Sequence, residues 1–345
     1  MKFNWKQFAI AIGLFLLGYF TFNSKLFAQT LEKPKVSIAV GGKNLLYYLP
    51  LTIAEQLGYF KDEGLQVTIS DFAGGAKALQ ALVGGSADVV SGAYEHTINM
   101  QAKAQPITAF VLQGRAPQIV LVVSNKTMPD YKSLTDLKGK KIGVTAPGSS
   151  TNMMANFVLA KAGLKPTDVS FIGVGTAAGA LSALRSGQID AMANLDPVIT
   201  MLEKSKDVKV VADTRTLKDT NDIYGGPMPA ATLYTTEAFL AKNPHTVQAL
   251  TNAMVRALHW IQKAGPSDLI KVVPENFLLG DRALYIDAFT KVREAISPDG
   301  SFPAAGPATA LRTLQAFEPD LRDKKIDLAK TFTNDFVKKA NAKYK

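Results

Sequence analysis

Short apolar runs alternate with amphipathic segments along the first part of the chain. The run KVSIAV at 35–40 predicts a strand, and the loop at 41–44 leads into an amphipathic stretch at 48–59 that predicts a helix. The next strands and the helix between them are predicted at 64–69, 87–90 and 76–83. Strands that alternate with helices of this length predict a parallel sheet with right-handed crossovers.

A second region, from about 140 to 193, repeats this order of elements. Its strands and its first helix are predicted at 140–144, 169–172, 189–193 and 152–162. Both regions contain the pattern A-L-x-A-L-x-x-G-x-x-D, at 78–88 and at 180–190. This pattern is typical of a short helix with an Ala/Leu face, a Gly stop and an Asp that leads into a buried strand. The repeat therefore predicts two lobes of one α/β design.

The two lobes are expected to be joined by extended segments at 113–123 and 225–232. Beyond Thr235 the pattern is mostly helical, with helices predicted at 237–240, 247–263, 284–294, 308–317 and 328–342. A chain of 345 residues also exceeds the ~250–300 residues that one hydrophobic core usually supports. We therefore expect a discontinuous lobe I at 34–116 and 228–342, and lobe II at 117–227.

The predicted strand end, turn and helix at 144–164 form the stretch around which we expect the site to be built. Its turn contains residues that suit a helix start, namely Gly148, Ser149, Ser150, Thr151 and Asn152. The free N–H groups and the positive dipole end of such a helix favour a bound anion. A simple helix cap and an anion seat both remain open from these residues alone.

The first 28 residues have the features of a secretory leader. Two lysines precede an apolar run at 8–20, and Leu26-Phe27-Ala28 offers a small residue for cleavage. An exported protein is therefore expected. If the leader is not cut, the stretch at 8–28 is about long enough to span a bilayer, so a retained N-terminal anchor is the alternative.

Composition narrows the possible functions. The chain has no cysteine, which excludes disulfides, thiol catalysis and cysteine metal sites. The leader holds three of the 39 basic residues and no acidic one, so 36 basic and 29 acidic residues give the remainder a net charge of +7. Because the lysines are scattered and lack interleaved aromatic residues, no nucleic-acid partner is expected.

The predicted loops lack a complete catalytic or cofactor motif. The G-x-x-x-x-G run at 143–148 has the spacing of a phosphate-binding loop, but Ser149 stands where the lysine is required. The G-x-G-x-x-A run at 173–178 imitates a dinucleotide fingerprint inside a repeated half. The three histidines are far apart, and no G-x-S-x-G occurs. We therefore expect no catalytic residue, no metal and no cofactor.

Four stretches resemble a known family, the periplasmic substrate-binding proteins of ABC importers, in the branch for nitrate, taurine, aliphatic sulfonates and thiamine-pyrimidine precursors. They are PLTIAEQLGYFKDEGLQV at 50–67, GGAKALQALVGGSADVV at 74–90, LKGKKIGVTAPGSS at 137–150 and ALRSGQIDA at 183–191. The resemblance implies a type II, Venus-flytrap fold, whose two lobes close on one ligand. It also implies a periplasmic monomer that delivers a small molecule to an inner-membrane ABC permease and its ATPase.

The resemblance further implies a ligand site at the strand ends that face the cleft. The anion seat would fall on Ser149, Ser150 and Thr151. The opposite wall and the hinge side would be formed by Asn44, Tyr47, Gly75, Ala76, Ser91, Glu95, Gln113 and Arg115, and lobe II would add Thr176, Asn194 and Asp196. For Arg115, a salt bridge that holds a crossover is an alternative role. For Asp196, which precedes Pro197, the alternative is a helix cap.

The ligand is expected to be a small anionic or zwitterionic organic compound, with sulfonates such as taurine first. If Glu95 and Asp196 face the cleft, nitrate is less favoured than a zwitterion or an amine-bearing ring. A pyrimidine or thiamine precursor, or an aromatic acid, is the alternative ligand. An enzyme like the yeast pyrimidine synthases would need a cysteine-rich segment, which this chain lacks. A sensory domain of the same fold would need a DNA-binding helix pair before the lobes, and none is predicted.

Overall fold

The structure, a computed structural model, describes residues 30–345. The predicted leader at 1–28 and the alternative anchor at 8–28 lie outside the described residues. The described strands are β1 Lys35–Val40, β2 Gln66–Asp71, β3 Val89–Ala93, β4 Ile107–Leu112, β5 Val120–Ser124, β6 Lys141–Val144, β7 Ser170–Gly173, β8 Ala191–Asn194, β9 Val208–Asp213 and β10 Ala231–Thr236.

The described helices connect and cover these strands. In chain order they are α1 Leu49–Gln56, α2 Tyr59–Asp62, α3 Gly75–Val83, α4 Glu95–Ala102, α5 Ser150–Lys161, α6 Ala178–Ser186, α7 Val198–Lys204, α8 Leu217–Tyr224, α9 Glu237–Lys242, α10 Pro244–Lys263, α11 Pro266–Val272, α12 Arg282–Val292, α13 Gly306–Phe317 and α14 Asp335–Lys343. Within 30–345, none of them is long and apolar enough to cross a membrane.

The strands form two five-stranded sheets of the same design. The sheet of lobe I has the order β2-β1-β3-β10-β4, and the sheet of lobe II has the order β7-β6-β8-β5-β9. The predicted two-lobe α/β fold is therefore confirmed. The exact boundaries of the lobes, 34–116 with 228–342 and 117–227, remain a proposal.

Each sheet differs from the expected all-parallel sheet by one antiparallel strand. Strand β10 runs antiparallel to β3 and β4, and β5 runs antiparallel to β8 and β9. These two strands follow the segments by which the chain passes between the lobes. Because the chain enters each lobe at the edge where the parallel strands end, the first strand it forms there must run away from that edge. The predicted crossover at 113–123 was therefore too long, since its end is part of β5.

The two copies of the sequence repeat have the same structural role. In lobe I, Asp88 Oδ2 accepts hydrogen bonds from the backbone N–H and the hydroxyl of Ser37, both at 3.0 Å. In lobe II, Asp190 Oδ2 accepts from the backbone N–H of Lys141 at 3.0 Å. Asp88 and Asp190 directly precede the central strands β3 and β8, and they tie these strands to the neighbouring strands β1 and β6.

Two predicted helices differ from the structure. The helix predicted at 48–59 is divided at Gly58, whose φ of 73° is left-handed, into α1 and α2. The helix predicted at 328–342 is interrupted, because a short 3-10 helix at Leu328–Lys330 is followed by non-helical residues and α14 begins only at Asp335. Before it, Phe332 forms a bridge with Ala109, and the N–H of Ala109 donates to the carbonyl of Thr331 at 3.0 Å. The open edge of β4 thus takes up this segment as extended chain.

Candidate functional site

The candidate site lies where the carboxyl ends of strands from both lobes face each other. Strands β1 and β3 of lobe I end in the loops that begin at Gly41 and Tyr94, and β6 and β8 of lobe II end before Thr145 and Leu195. Open α/β sheets bind ligands at this edge. The loops are in direct contact, because the Ser149 hydroxyl of lobe II accepts a hydrogen bond from the backbone N–H of Ala76 in lobe I at 3.0 Å.

The N-terminus of α5 has the features predicted for an anion seat, but two of its hydroxyls have other partners. Ser149 is bonded to Ala76, and Thr151 Oγ1 accepts from the backbone N–H of Thr145 at 3.1 Å. Ser149 also makes no side-chain cap of its own helix. Among residues 30–345, nothing accepts a hydrogen bond from the backbone N–H of Ser150 or Thr151. These two free donors at the positive end of α5 can bind an anionic or carbonyl oxygen.

Glu95 begins α4 and is the most unusual group of the site. Only 4% of the residue is exposed, and its Oε2 has no hydrogen-bond partner among the described residues. Burial raises the pKa of Glu95 to about 7, while a backbone hydrogen bond opposes this rise. A buried carboxylate without a partner is costly. Glu95 is therefore suited to a ligand that brings a hydrogen-bond donor or a positive charge.

The charge of this carboxylate acts on three buried tyrosines, two from lobe I and one from lobe II. Burial and then the Glu95 charge raise the pKa values of Tyr47, Tyr48 and Tyr224. The Tyr47 hydroxyl lies close to Ser150 but makes no hydrogen bond among the described residues. We call Glu95, Tyr47, Tyr48 and Tyr224 the Glu95 cluster. Its Tyr224 ring stacks on Phe157 of α5, with centroids 5.0 Å apart and an interplanar angle of 15°.

Two glutamines lie on the hinge side of the cleft. Gln113 Nε2 donates to Ser91 Oγ at 2.9 Å, and its Oε1 has no partner among the described residues. Gln118, which we did not predict, is 1% exposed, and neither of its amide atoms has a described partner. Because Val120 pairs with Asn194, Gln118 lies just beyond the end of β8. In the sequence, the only signal for Gln118 as a site residue is that it is a polar residue directly before the apolar run IVLVV.

Asn44 and Thr176 contact each other across the cleft. Asn44 Nδ2 donates to the carbonyl oxygen of Thr176 at 3.0 Å, and Thr176 Oγ1 donates to Asn44 Oδ1 at 3.2 Å. Both side chains thus have partners across the cleft, and we call this pair the interlobe latch. Nearby, Gly41 allows the β1 loop to touch the start of α3, since a Cβ at Gly41 would lie 2.2 Å from the nitrogen of Gly75.

Asp196 and Asn194 are occupied by contacts within lobe II. Asp196 Oδ1 accepts from the backbone N–H of Thr200 at 2.8 Å, and its Oδ2 pairs with Arg215 at 3.4 Å. Burial raises the pKa of Asp196, and Arg215 opposes the rise. The hydrogen bond from Thr200 is the helix-capping role that we considered as the alternative for Asp196. Asn194 Nδ2 donates to the carbonyl oxygen of Gly175 at 3.2 Å, and its Oδ1 accepts from the N–H of Leu195.

Arg115 lies apart from the Glu95 cluster. Its Nε donates to the carbonyl oxygen of Glu294 at 2.9 Å, so it fixes the first crossover segment to lobe I. This contact is made to a backbone carbonyl and not to a carboxylate, unlike the salt bridge considered from the sequence. The Arg115 side chain also lines a separate cavity of about 340 Å³ beside Pro298 and Phe302.

His96 is a buried neutral group beside the site. Its Nδ1 lies 3.0 Å from the Tyr234 hydroxyl, and its Nε2 lies 3.3 Å from the Gly148 carbonyl of lobe II. Burial lowers the pKa of His96 to about 4, so the ring is uncharged at neutral pH. Within 30–345, no group of three or more His, Asp or Glu side chains could hold a metal ion.

The comparisons with known proteins agree with this architecture. The family model described as NMT1/THI5 like matches residues 46–265. A solved structure of a protein from Bordetella bronchiseptica RB50 is 64% identical to this chain. It covers 92% of this chain and 99% of its own, with a TM-score of 0.90.

Two more distant relatives differ in their named activities. The alkanesulfonate-binding protein SsuA from Xanthomonas axonopodis pv. citri, solved bound to MOPS, is 21% identical, covers 88% of this chain and 100% of its own, and has a TM-score of 0.65. The 4-amino-5-hydroxymethyl-2-methylpyrimidine phosphate synthase THI13 of Saccharomyces cerevisiae is 24% identical over 66% of this chain and 67% of its own length. Because the family model spans more than half of this chain, the protein belongs to the NMT1/THI5-like family, and its two-lobe fold is that of the periplasmic binding proteins.

Proposed function

We propose that this chain, a solute-binding protein of the ABC import type, captures a small organic solute that carries both a nitrogen donor and an acidic or carbonyl oxygen. It would close on this solute in the periplasm and deliver it to an inner-membrane permease and its ATPase. No catalytic step is proposed. The yeast relative is named as a synthase, but this chain has no cysteine for thiol chemistry, and the proposal concerns binding alone.

The unpartnered Oε2 of Glu95 carries the proposal. A simple anion such as nitrate would bring a second negative charge next to this carboxylate, and like charges at a shared site repel each other. An ammonium or amino group would instead satisfy the free oxygen and favour its ionised form. Gln113 Oε1, on the hinge side, is another buried acceptor without a partner among the described residues. We therefore place the nitrogen-bearing end of the solute at Glu95.

The free N–H groups of Ser150 and Thr151 support the position of the oxygen-bearing end. They lie at the positive end of α5, and Tyr47 lies near both Ser150 and Glu95. A solute that spans these two places contacts both lobes at once, which would stabilise the closed arrangement. A zwitterion such as an aminoalkyl sulfonate fits both ends. Sulfonate recognition is also the named property of the structural relative SsuA.

An aminopyrimidine is the second candidate solute, and the three tyrosines of the Glu95 cluster favour it. Aromatic rings pack well against flat heterocycles. The amino group of an aminopyrimidine can donate to the Glu95 carboxylate, and a ring nitrogen can accept the proton of its protonated form. The yeast relative is named for a pyrimidine phosphate of this kind. The two candidates differ in whether the solute is flat and aromatic or flexible and doubly charged.

Titration calorimetry of the wild type and Glu95→Gln separates these alternatives. Taurine, nitrate and 4-amino-5-hydroxymethyl-2-methylpyrimidine serve as the test solutes. We expect taurine or the pyrimidine to bind, and Glu95→Gln to weaken that binding by about tenfold or more, because a charge-assisted hydrogen bond is lost. Glu318→Gln is the matched control, since the pKa of Glu318 is also raised by burial but this residue lies outside the Glu95 cluster. Tighter binding of nitrate than of the other two would overturn the assignment of Glu95.

A further inference from the structure

The helix α12 of lobe I makes ionic contacts with lobe II at both of its ends. At its start, Asp281 Oδ2 pairs with Lys204 Nζ at 3.1 Å. Near its end, Lys291 Nζ lies 3.1 Å from Glu203 Oε2 and donates to the Thr200 hydroxyl at 3.4 Å. The three partner residues all belong to α7 of lobe II, against which α12 packs. Ion pairs therefore join these two helices across the lobes.

The helix α12 is itself attached to lobe I. Arg293, directly after α12, donates through Nη2 to the carbonyl oxygens of Ile261 and Gln262 at 3.1 and 2.9 Å. Both carbonyls belong to the end of α10, which packs on α1 and β4 of lobe I. Tyr285 and Phe289 of α12 are buried in the core. The ion pairs between α12 and α7 are therefore contacts between the lobes and not within one of them.

The contact of Lys291 continues through lobe II to the cleft. Glu203 accepts hydrogen bonds from both Nη atoms of Arg215, at 2.9 and 3.0 Å. Arg215 Nη1 also lies 3.4 Å from Asp196 Oδ2. The backbone carbonyl oxygen of Asp196 accepts from the N–H of Leu46 of lobe I at 3.1 Å. This chain of contacts therefore begins on lobe I, crosses lobe II and returns to lobe I at the cleft.

Burial increases along this chain of contacts. The exposed fraction of the side chain falls from 35% for Lys291 and 25% for Glu203 to 7% for Arg215 and 0% for Asp196. Burial alone would raise the pKa of Glu203, but Arg215 and Lys291 lower it, so Glu203 is ionised at neutral pH. Salt screens a half-buried pair less than an exposed one, and the exposed pair at the start of α12 should add little. The interlobe attraction is therefore centred on Lys291.

We propose that Lys291, Glu203 and Arg215 form an ionic clasp that holds the two lobes together and makes the opening of the cleft sensitive to ionic strength. Lys291 is the member from lobe I, so its bond to Glu203 breaks when α12 moves away from α7. Glu203 then keeps its two bonds to Arg215, and Asp287 of α12, 3.8 Å from Lys291, offers the lysine another partner. Opening thus leaves no buried charge unpaired. Lys291 is a positioning residue, because it acts on the cleft through other residues.

Spin labels on the two lobes measure the opening without any solute. Because the chain has no cysteine, Gln80→Cys in lobe I and Lys165→Cys in lobe II give two exposed labelling positions. The full chain, dialysed free of solute, is compared in ~50 mM and ~500 mM potassium chloride by pulsed electron paramagnetic resonance. We expect the higher salt to lower the ratio of the near to the far population by at least about twofold. Identical distance distributions at the two salt concentrations would overturn the proposal.

Variants in the doubly labelled chain assign the salt effect to the clasp. At low salt, Lys291→Met should lower the ratio of the near to the far population by about 3–5-fold and remove its salt dependence. Lys291→Arg keeps the charge and should retain the salt dependence. If Lys291→Met fails to fold, as judged by circular dichroism, Lys291→Gln gives the same test.

Lys218→Met is the matched control, because it removes a lysine–carboxylate pair that lies within α8 of lobe II. It should leave the distance distribution and its salt dependence unchanged. A shift in Lys218→Met as large as that in Lys291→Met, or a wild-type distribution in Lys291→Met at low salt, would refute the clasp. Because no solute is present, these outcomes leave the solute proposed for Glu95 untouched.

Discussion

Glu95 and Asp196 are both buried carboxylates at the cleft, but their surroundings give them different roles. Asp196 has a paired arginine and caps α7, so its charge is compensated within lobe II. Glu95 has a free oxygen, tyrosine neighbours and a pKa of about 7, compared with an ordinary value of 4.5. Apart from a backbone hydrogen bond, no described residue compensates its charge, so that role falls to what enters the cleft.

The raised pKa of Glu95 predicts a pH-dependent cost to folding. Because the folded state holds the proton more tightly than the unfolded chain, stability declines as the pH rises from 4.5 through 7. Glu95→Gln removes the charge, so we expect it to increase the free energy of unfolding at pH 8 by up to about 3 kcal/mol and much less at pH 4.5. Urea denaturation at both pH values measures this difference. An equal effect at both would contradict the assigned pKa.

The same ionisation should control binding of an amine-bearing solute. An ammonium group binds the ionised carboxylate, so a Glu95 that is protonated in the free protein must release its proton when the solute binds. We expect the affinity to fall by about tenfold per pH unit below about pH 7, and this fall to be absent in Glu95→Gln. Calorimetric titrations from pH 5 to pH 8 with the solute that binds provide the measurement. An affinity that rises at low pH would instead indicate an anionic solute.

At the scale of elements, the repeated aspartates explain why the same sequence pattern occurs in both lobes. Asp190→Ala removes the acceptor for the first N–H of β6, and because this hydrogen bond is exposed we expect it to lower the free energy of unfolding by about 0.5–1.5 kcal/mol. Asp130→Ala, at an exposed position, is the control and should change stability by less than about 0.5 kcal/mol. Equal effects of the two substitutions in urea denaturation would contradict this role.

The elements that could be predicted from the sequence are those whose pattern is local. Strand β1 was predicted at its observed bounds, and α3 and α5 begin within two residues of their predicted starts. The antiparallel placement of β5 and β10 could not be derived from periodicity, because it depends on where the chain enters each sheet. The extended segment around Phe332 was missed for a similar reason, since its pairing with Ala109 joins residues far apart in the chain.

The candidate site was predictable only as a set of loops. The strand-end rule and the family resemblance led to Glu95, Tyr47 and Ser150, which the structure brings close together. Tyr224 and Gln118 were missed because each lies in a segment that no motif marks. The latch contact between Asn44 and Thr176 also could not be seen, because it exists only when both lobes are in place.

At the scale of the whole molecule, the latch should contribute to solute affinity without touching the solute. Asn44→Ala and Thr176→Val each remove side-chain groups that bond across the cleft. Weaker closure reduces the population of the binding-competent state, so we expect each variant to bind the solute about 3–10-fold more weakly. The double variant should show a coupling of about 0.5 kcal/mol or more in a double-mutant cycle. Additive losses would indicate that the two residues act separately.

The most direct test of the central claim is mass spectrometry of the small molecule released on denaturing natively purified wild-type protein and Glu95→Gln. We expect the wild type to release a compound with a nitrogen donor and an acidic or carbonyl oxygen, and Glu95→Gln to carry much less of it. Release of a solute without any N–H donor, or equal amounts of the same solute from both proteins, would contradict the proposed role of Glu95.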